Sequence, residues 1–549
     1  MSSEPNFSRP GAAARTYNDR TKYWFVTNED GTLDVVAGTP PDAFPALGAQ
    51  DPANDPGRFK IYHEVETIAL PKVPIASGLT AFEALTASGR EPEGTVIPDL
   101  AVLGRVLQRS NGILKVGKHR TGKEIAYRAA GQTGARYHLE LYLVTGDLPG
   151  LAAGVYHYGA HDDTLSVLRT GDYRAFVTQA SGNAPSIAQA PAILIVASQI
   201  WRNAWRYLEH SYKQVFWDMG TMLTNTLGMT ASAEVPAEVV FGFSDPDIAQ
   251  LLGVDGRDEL VSGMMALGRT TEPQPAAPEV TPLVLEQTPA ASESPRFPVI
   301  EAAYAGTSLA TGEAAAEWRA EASEGALPAP AAPPDGPLIS LRPVSSSDRS
   351  LEDVIEKRRS NRHYAAETPV SFEDFSTVLQ VANGTPPLDV PFPAADVYLI
   401  VNNVAELEPG AYYYDRSQNT LTLIQSGNLR ERAARLAMGQ QYAADANVVM
   451  FSMANLDAIF ARYGDRGYRL ALFEAAVFGS RMQLAAHALG LGAVGSGSPD
   501  DELVEFFSPH AAGKDYCFVA VFGVKRKPSA TENAAALKFL DDQRTEETS

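Results

Sequence analysis

The sequence repeats itself once. Residues 148–174, LPGLAAGVYHYGAHDDTLSVLRTGDYR, align without a gap on residues 404–430, VAELEPGAYYYDRSQNTLTLIQSGNLR, at a constant offset of 256. Leu151 falls on Leu407, Gly154 on Gly410, Tyr156 on Tyr412, Tyr158 on Tyr414, Gly171 on Gly427 and Arg174 on Arg430. The same offset pairs Arg206–Tyr207 with Arg462–Tyr463, Tyr212 with Tyr468 and Asp218 with Glu474. Upstream, VLQ and NG at 106–112 recur at 378–384 with an offset of 272, so 16 residues of the first copy, between Asn111 and Tyr142, are absent from the second. Solenoid repeats run at about 20–50 residues. A period this long is a duplicated domain.

Each copy mixes strand and helix patterns. Leu139–Val144 and Val397–Val401 alternate as strands, and the Tyr-rich segments after Gly154 and Gly410 suggest hairpins. Ala190–Ser198 and Asn447–Ser452 read as buried strands. Gly467–Leu489 has helical spacing and stops at Gly490, a natural C-cap. This predicts an α+β sandwich. Between Thr271 and Pro343 the chain is rich in Pro, Ala, Glu and Ser. Glu321–Pro337 reads as extended linker, whereas Phe297, Val299, Ile300, Tyr304 and Trp318 could dock. The expected organisation is an N-terminal region 1–97, a domain 98–270, a partly docked linker 271–343, a second domain 344–530 and a charged tail 531–549.

With Lys plus Arg 45 and Asp plus Glu 66, the net charge is −21. So acidic a surface disfavours nucleic acid and anionic membrane as partners. The single cysteine, Cys517, excludes an internal disulfide framework and a cysteine-built metal site. The N-terminus has no apolar core and the longest apolar runs are about ten residues, too short for a membrane span. The expectation is a cytoplasmic protein without metal.

Several motifs, in order, carry a resemblance. RRSNRHY at 358–364 is similar to the RRSxRxF signature of flavin-dependent nitroreductase-fold enzymes, and GLGAVGSG at 490–497 resembles their glycine-rich strand. RAAGQTGARYHLELY at 128–142 resembles the R-x-x-P-S-A-G-x-x-Y-P-x-E-L-Y segment of the SagB/ThcOx-type branch, as do LPGLAAGVYHY, YNDRTKYW at 17–24 and FKIYHEVETIALP at 59–71. The resemblance implies two nitroreductase-like three-layer α/β/α sandwiches in one chain, folded as an intramolecular pseudo-dimer with FMN between them. It also implies oxidation of thiazoline or oxazoline rings in a ribosomally made peptide. A cyclodehydratase complex is an implied partner.

The site residues follow from that frame. Arg358, Arg359, Ser360 and Arg362 suit a phosphate and a carbonyl-edged ring; a solvated basic face is the blander reading of such a run, less expected in so acidic a chain. Gly495, Ser496 and Gly497 let a flat ring approach backbone N–H groups, and Arg526 joins this set. Arg128, Gln132, Thr133 and Gly134 stand where the family has a loop that covers the flavin from the opposite subunit, with Gln132 in place of Ser. The first copy reads TASGR at 86–90 where the second has RRSNR, and Glu234, Pro236 and Val239 where the second has glycines. The second copy lacks residues in the region of the loop. One composite site, not two, is therefore expected.

For proton transfer, a Lys-Tyr pair of the family falls on Arg206–Tyr207 and Arg462–Tyr463. Arginine stays protonated and can hold the tyrosine or stabilise charge. A nearby cation lowers a tyrosine pKa from about 10, so Tyr207 is the expected base, better placed than Tyr463 because it shares a copy with the loop. His210 reads as a helix-surface residue. GLGAVG at 490–495 follows a helix rather than a strand, which rejects a dinucleotide-binding reading. Two alternatives stay open: an NAD(P)H-dependent nitro- or ene-reductase, and a flavin-less scaffold in a peptide-modifying complex.

Overall fold

A computed structural model describes residues 10–27, 33–38, 44–75, 77–87, 94–118, 124–328 and 331–528. Arg90, in the first copy's counterpart of RRSNR, and the tail 531–549 lie outside the described residues.

The duplication is visible strand for strand. One seven-stranded sheet runs in the order Ala237–Val240, Glu259–Leu267, Ala192–Gln199, Leu139–Thr145, Gly154–Gly159, Thr164–Thr170 and Thr67–Ala69. The other runs Gly492–Ser496, Asp515–Gly523, Val448–Ala454, Asp396–Val401, Gly410–Asp415, Thr420–Ser426 and Leu338–Ser340. Their neighbouring strands pair antiparallel. The α+β sandwich is thus built twice. Leu139–Thr145, expected to alternate, is buried at every position. Leu139, Leu141 and Leu143 face the inner core, while Tyr142 and Val144 face an outer one, so both faces of the strand are covered.

The inner layer consists of two 22-residue helices, Ser211–Ser232 and Gly467–Ala488. They pack on each other at Gly220, where a Cβ would lie 2.7 Å from the Cβ of Ala476. Those two residues are each other's counterparts in the repeat. A residue that touches its own equivalent marks a pseudo-two-fold axis. Tyr17, on the N-terminal helix Ala12–Arg20, sits near that axis, with ring centroids 5.3 Å from Tyr212 and 5.9 Å from its mate Tyr468.

Three features were not foreseen. Within the first copy's extra stretch, Ile113–Lys118 pairs with Glu124–Arg128 as a separate two-stranded ribbon. A three-stranded sheet of Tyr23–Thr27, Leu33–Ala37 and Phe44–Pro45 follows the first helix. Helices Pro298–Thr307 and Gly312–Ser323 occupy the Pro/Ala-rich stretch, burying Ile300, Tyr304 and Trp318. The second starts on Thr311, whose Oγ1 accepts from the Ala314 N–H, and runs three residues into the segment expected to be extended.

Candidate functional site

The arginine segment is positioned by a capped helix. Ser350 Oγ accepts the Asp353 N–H at 3.2 Å and starts Leu351–Lys357; the backbone turns extended at Arg358. Leu351 packs against Gly228 on the first copy's long helix, so the helix is held between the halves. Ser360 then forms a parallel bridge with Ala493, and the Asn361 N–H donates to the Ala493 carbonyl at 3.0 Å. This sets the RRSNR backbone beside the Gly492–Ser496 strand. Arg362 lies beside Tyr442, where its charge opposes the burial that raises the tyrosine's pKa, and the Tyr442 hydroxyl donates to Ser496 Oγ at 2.9 Å. Arg526 joins them through its N–H on the His363 carbonyl and Nε on the Tyr364 carbonyl, both at 3.1 Å.

The first copy supplies the other wall. Arg358 Nη2 donates to the Ala129 carbonyl at 3.1 Å, and a Cβ on Gly131 would lie 3.2 Å from Arg358 Nη1. Burial pulls the Arg358 pKa down, the direction an anion beside it would reverse. The loop is anchored on Asp218: the Thr133 N–H reaches its carboxylate oxygens at 2.9 and 2.8 Å, and the Thr133 hydroxyl donates at 2.8 Å. His138 Nε2 lies 2.9 Å from the same carboxylate. Gln132 Nε2 donates to Asn111 Oδ1 at 3.0 Å, whereas the buried Gln132 Oε1 has no protein partner. Gly134 has φ +56°, and a Cβ there would sit 2.4 Å from the Tyr207 hydroxyl oxygen. The loop and Tyr207 therefore touch. Arg206 reaches Gln50 Oε1 at 2.9 Å.

Four expected residues stand elsewhere. Arg128 is 3% exposed, sandwiched between the rings of Phe59 and Tyr137, and burial lowers its pKa to about 10. Its Nη2 donates to the Arg58 carbonyl at 3.1 Å. Arg359 folds back onto the carbonyls of Glu356 and Arg358. Arg462 donates to the carbonyls of Ala322, Gly325 and Ala326, and the Tyr463 hydroxyl donates to the Pro391 carbonyl at 2.5 Å. That pair faces the linker helices and not the arginine–loop cluster.

Two expectations need correction. Burial raises the Tyr207 pKa, and the opposing pull of Arg206 does not overcome it. The resting Tyr207 hydroxyl therefore carries its proton, against the expectation that Arg206 brings its pKa down. The second copy has not lost its counterpart of the loop; it has lost the ribbon. Its segment Pro387–Asp389 lies against the first copy instead. The Val239 N–H donates to the Pro387 carbonyl at 2.9 Å, and the Asp389 N–H to the Val239 carbonyl at 3.1 Å. Asp389 also accepts from the Phe241 and Gly242 N–H groups and pairs with Arg319 at 3.4 Å. At this second position the chain fills the place beside the strand end.

The expectation that His210 lies on a helix surface is also overturned. The side chain is fully buried and stacked on Tyr23 at 3.9 Å, three residues beyond Tyr207. Its Nδ1 lies 2.9 Å from the Thr21 carbonyl, which can only accept, so Nδ1 carries the hydrogen. The buried Nε2 is then an acceptor without a protein partner, and burial holds the ring neutral. The dense aromatic context of residues 201–217 was the available signal.

The structure is thus a doubled α+β sandwich in which arginines of one half meet a loop of the other. The nitroreductase family profile matches residues 355–523. A protein of Methanocaldococcus jannaschii, named as a candidate nitroreductase, is 31% identical over 180 residues, which cover 31% of this chain and 90% of that protein. The chain belongs to the nitroreductase family. A crystal structure of a candidate nitroreductase from Anabaena variabilis covers 94% of this chain and 100% of its own, with TM-score 0.69 and 24% identity, so the doubled fold is shared. A candidate nitroreductase from Desulfovibrio desulfuricans, solved in complex with FMN, is 17% identical with TM-score 0.22 and covers 34% of this chain and 95% of its own.

Proposed function

We propose that this nitroreductase-family protein is an FMN-dependent dehydrogenase that oxidises thiazoline or oxazoline rings of a ribosomally made peptide. The observation that carries the flavin reading is the convergence of Arg358, Arg362, Arg526 and the Gly492–Ser496 strand from one half with the Ala129–Gly134 loop and Tyr207 from the other. These residues fit FMN. Its phosphate needs cations, and Arg358 gains solvation from an anion. Its ring needs close backbone, and a Cβ on Gly495 would meet nothing nearer than 3.8 Å. The orphaned Gln132 Oε1 is an acceptor that a ring or ribityl donor would satisfy.

FMN supplies a two-electron hydride acceptor. The protein's own part is to hold and to screen. Asp218 fixes the loop through Thr133, and Arg358 ties that loop to the second half. Tyr207 Oη keeps its proton and donates a hydrogen bond to a heteroatom of a bound ring. Arg206 places a guanidinium beside it that can stabilise negative charge. The sequence resemblance of residues 17–24, 59–71 and 128–142 to the SagB/ThcOx-type branch supports the azoline substrate; a peptide-modifying cyclodehydratase complex is the matching partner.

One observation favours a second reading. A protonated Tyr207 suits delivery of a proton to a substrate being reduced, the direction an NAD(P)H-dependent nitro- or ene-reductase requires. Anaerobic mixing separates the two. Loss of flavin colour on adding an azoline-containing peptide supports the dehydrogenase. Bleaching by NADH or NADPH with no response to that peptide supports the reductase. A purified chain that takes up no flavin is the scaffold.

A further inference from the structure

Several turns take a positive φ in both copies, and at some of them one copy has glycine where the other has a side chain. Gly150 pairs with Glu406, Gly182 with Met438, Gly464 with Leu208 and Gly490 with Glu234. Glu234 and Glu406 are exposed, whereas Leu208 and Met438 are apolar and partly buried. Leu208 has φ +48° and ψ −135°, and its mate Gly464 has φ +58° and ψ −159°. Met438 has φ +60° and its mate Gly182 has φ +59°. A side chain strains such a backbone and glycine does not. The glycine copies close the same turns, so the turns themselves require neither side chain. A Cβ on Gly464 would meet nothing within 4 Å, and one on Gly182 would lie 2.7 Å from the Cβ of Ala316 on the linker helix.

What the two side chains touch is one short stretch of the N-terminal segment. Leu208 follows Tyr207 and packs on Gly48: a Cβ there would be 3.1 Å from Leu208 Cδ2, and the Gly48 N–H donates to the Arg206 carbonyl at 2.7 Å. Met438 lies across the end of the glycine strand, where a Cβ on Gly497 would be 3.1 Å from its Cγ, and it packs on the small core of Tyr23, Ala37 and Ala46. Ala46 and Gly48 are two residues apart in sequence, a reach of about 7 Å. Their supports stand on opposite walls, beside Tyr207 in the first half and beside Gly497 in the second. We propose that Leu208 and Met438 are specificity-determining residues: one on each wall, they hold the 44–48 segment across the cleft and limit the width of the molecule that reaches the flavin ring, admitting one ring and turning away two fused ones. This rests on the flavin reading and adds a size limit that applies to an azoline and to a nitroarene alike.

The probes are 1,4-benzoquinone, with one ring, and menadione, with two fused rings. Each reoxidises photoreduced FMN by taking two electrons and two protons. The measured quantity is the ratio of the two rates on the full chain, divided by the same ratio for free reduced FMN. The wild type should favour benzoquinone by roughly tenfold or more, the discrimination that a pocket wall exerts on size. The double change Leu208→Gly and Met438→Gly gives each turn the residue of its mate, and should bring the ratio to that of free FMN with flavin content unchanged. Met438→Leu, which keeps the apolar bulk, should preserve the wild-type ratio. A second readout needs no flavin. In the apoprotein, hydrogen exchange at the Ala46 and Gly48 amides, which bond the Val35 and Arg206 carbonyls, should quicken by roughly tenfold or more in the double variant. A quinone ratio that the double variant does not change, or exchange that stays at the wild-type rate, overturns the proposal. So does loss of FMN from that variant, which would make both residues supports of the cofactor site rather than selectors. A wild-type chain that takes up no FMN would sink the flavin reading, and the size limit with it, while the exchange result still decides whether the two residues hold the segment.

Discussion

At the scale of single residues, the cleft is a matter of cations and one tyrosine. Arg358 and Arg362 each stand to make a charge-assisted bond to a flavin phosphate or carbonyl, and such bonds contribute about 1.5–3 kcal/mol. Arg358→Ala and Arg362→Ala should each raise the flavin dissociation constant tenfold or more, measured by fluorescence titration of the apoprotein. Arg462→Ala, whose guanidinium serves linker carbonyls, should leave it unchanged. Tyr207→Phe should retain flavin but slow single-turnover flavin reduction by up to roughly tenfold, the loss of one hydrogen bond of about 0.5–1.5 kcal/mol to the substrate ring. Tyr463→Phe should change it little, because that hydroxyl is engaged on Pro391. The arginines and the loop were legible in the sequence because each lies in a contiguous motif. The ionisation of Tyr207 was not: its neighbour Arg206 is visible, but the burial that outweighs it comes from the Gly134 loop and the N-terminal segment. The same holds for His210, whose state depends on Thr21 and Tyr23 from a distant part of the chain.

At the scale of elements, the loop and the helix pair each hang on one position. Asp218 anchors Thr133 and meets His138. Its loss leaves buried donors unpaired, at about 1–3 kcal/mol each. Asp218→Ala should lower the urea midpoint and speed flavin release together, whereas a purely structural defect would lower the midpoint alone. Gly220 lets the two long helices meet on the pseudo-axis. Gly220→Leu would drive a side chain into Phe473 and Ala476 and should cost about 1–3 kcal/mol or more, read as a lowered thermal midpoint. The repeat revealed the paired sheets and helices because core periodicity survives duplication. It could not reveal the ribbon, since an insertion has no mate to align with. Nor could it show the helix over Gly312–Ser323: composition suggested an open linker, but Ala315, Trp318 and Ala322 are spaced to bury one face against the second half.

At the scale of the whole molecule, buried titratable groups set a pH window. Tyr17, Tyr142, Tyr468 and Tyr516 have pKa values raised well above 10 by burial. The folded state holds those protons while the unfolded chain loses them, so stability is intact below about pH 10 and falls as pH rises beyond it. His210 and His487 are held neutral by burial, His487 down to about 3. Between about 6.5 and 3 the unfolded chain binds the extra protons, so stability falls as pH drops through that range. Thermal midpoints should plateau from about pH 6.5 to 10 and decline on both sides.

The asymmetry of the duplication makes the last prediction. Two pseudo-equivalent positions flank the helix pair, and they have been used differently. At one, Arg358 and the Gly492–Ser496 strand face the Ala129–Gly134 loop. At the other, Val239 stands where the first has Gly495, and its N–H is taken by the Pro387 carbonyl. Asp389 occupies the Phe241 and Gly242 N–H groups, which the other position leaves to Gly497 and Ser498. Arg466 fills further space, with Nε on the Phe241 carbonyl at 2.8 Å and Nη1 on Asp245, where its mate is the smaller His210. A ring placed there would have to displace backbone pairing and a buried ion pair, and would leave those groups unsatisfied. The chain should therefore hold one FMN, not two. Flavin released by heat, quantified against protein from amino-acid analysis, should give a ratio near one after reconstitution with excess FMN. Opening the second position with Asp389→Ala and Arg319→Ala should lower stability without raising that ratio, because the arginine segment that would bind the phosphate exists in one copy. A ratio near two would show that both positions take the cofactor and that the sequence divergence between the copies is without functional meaning.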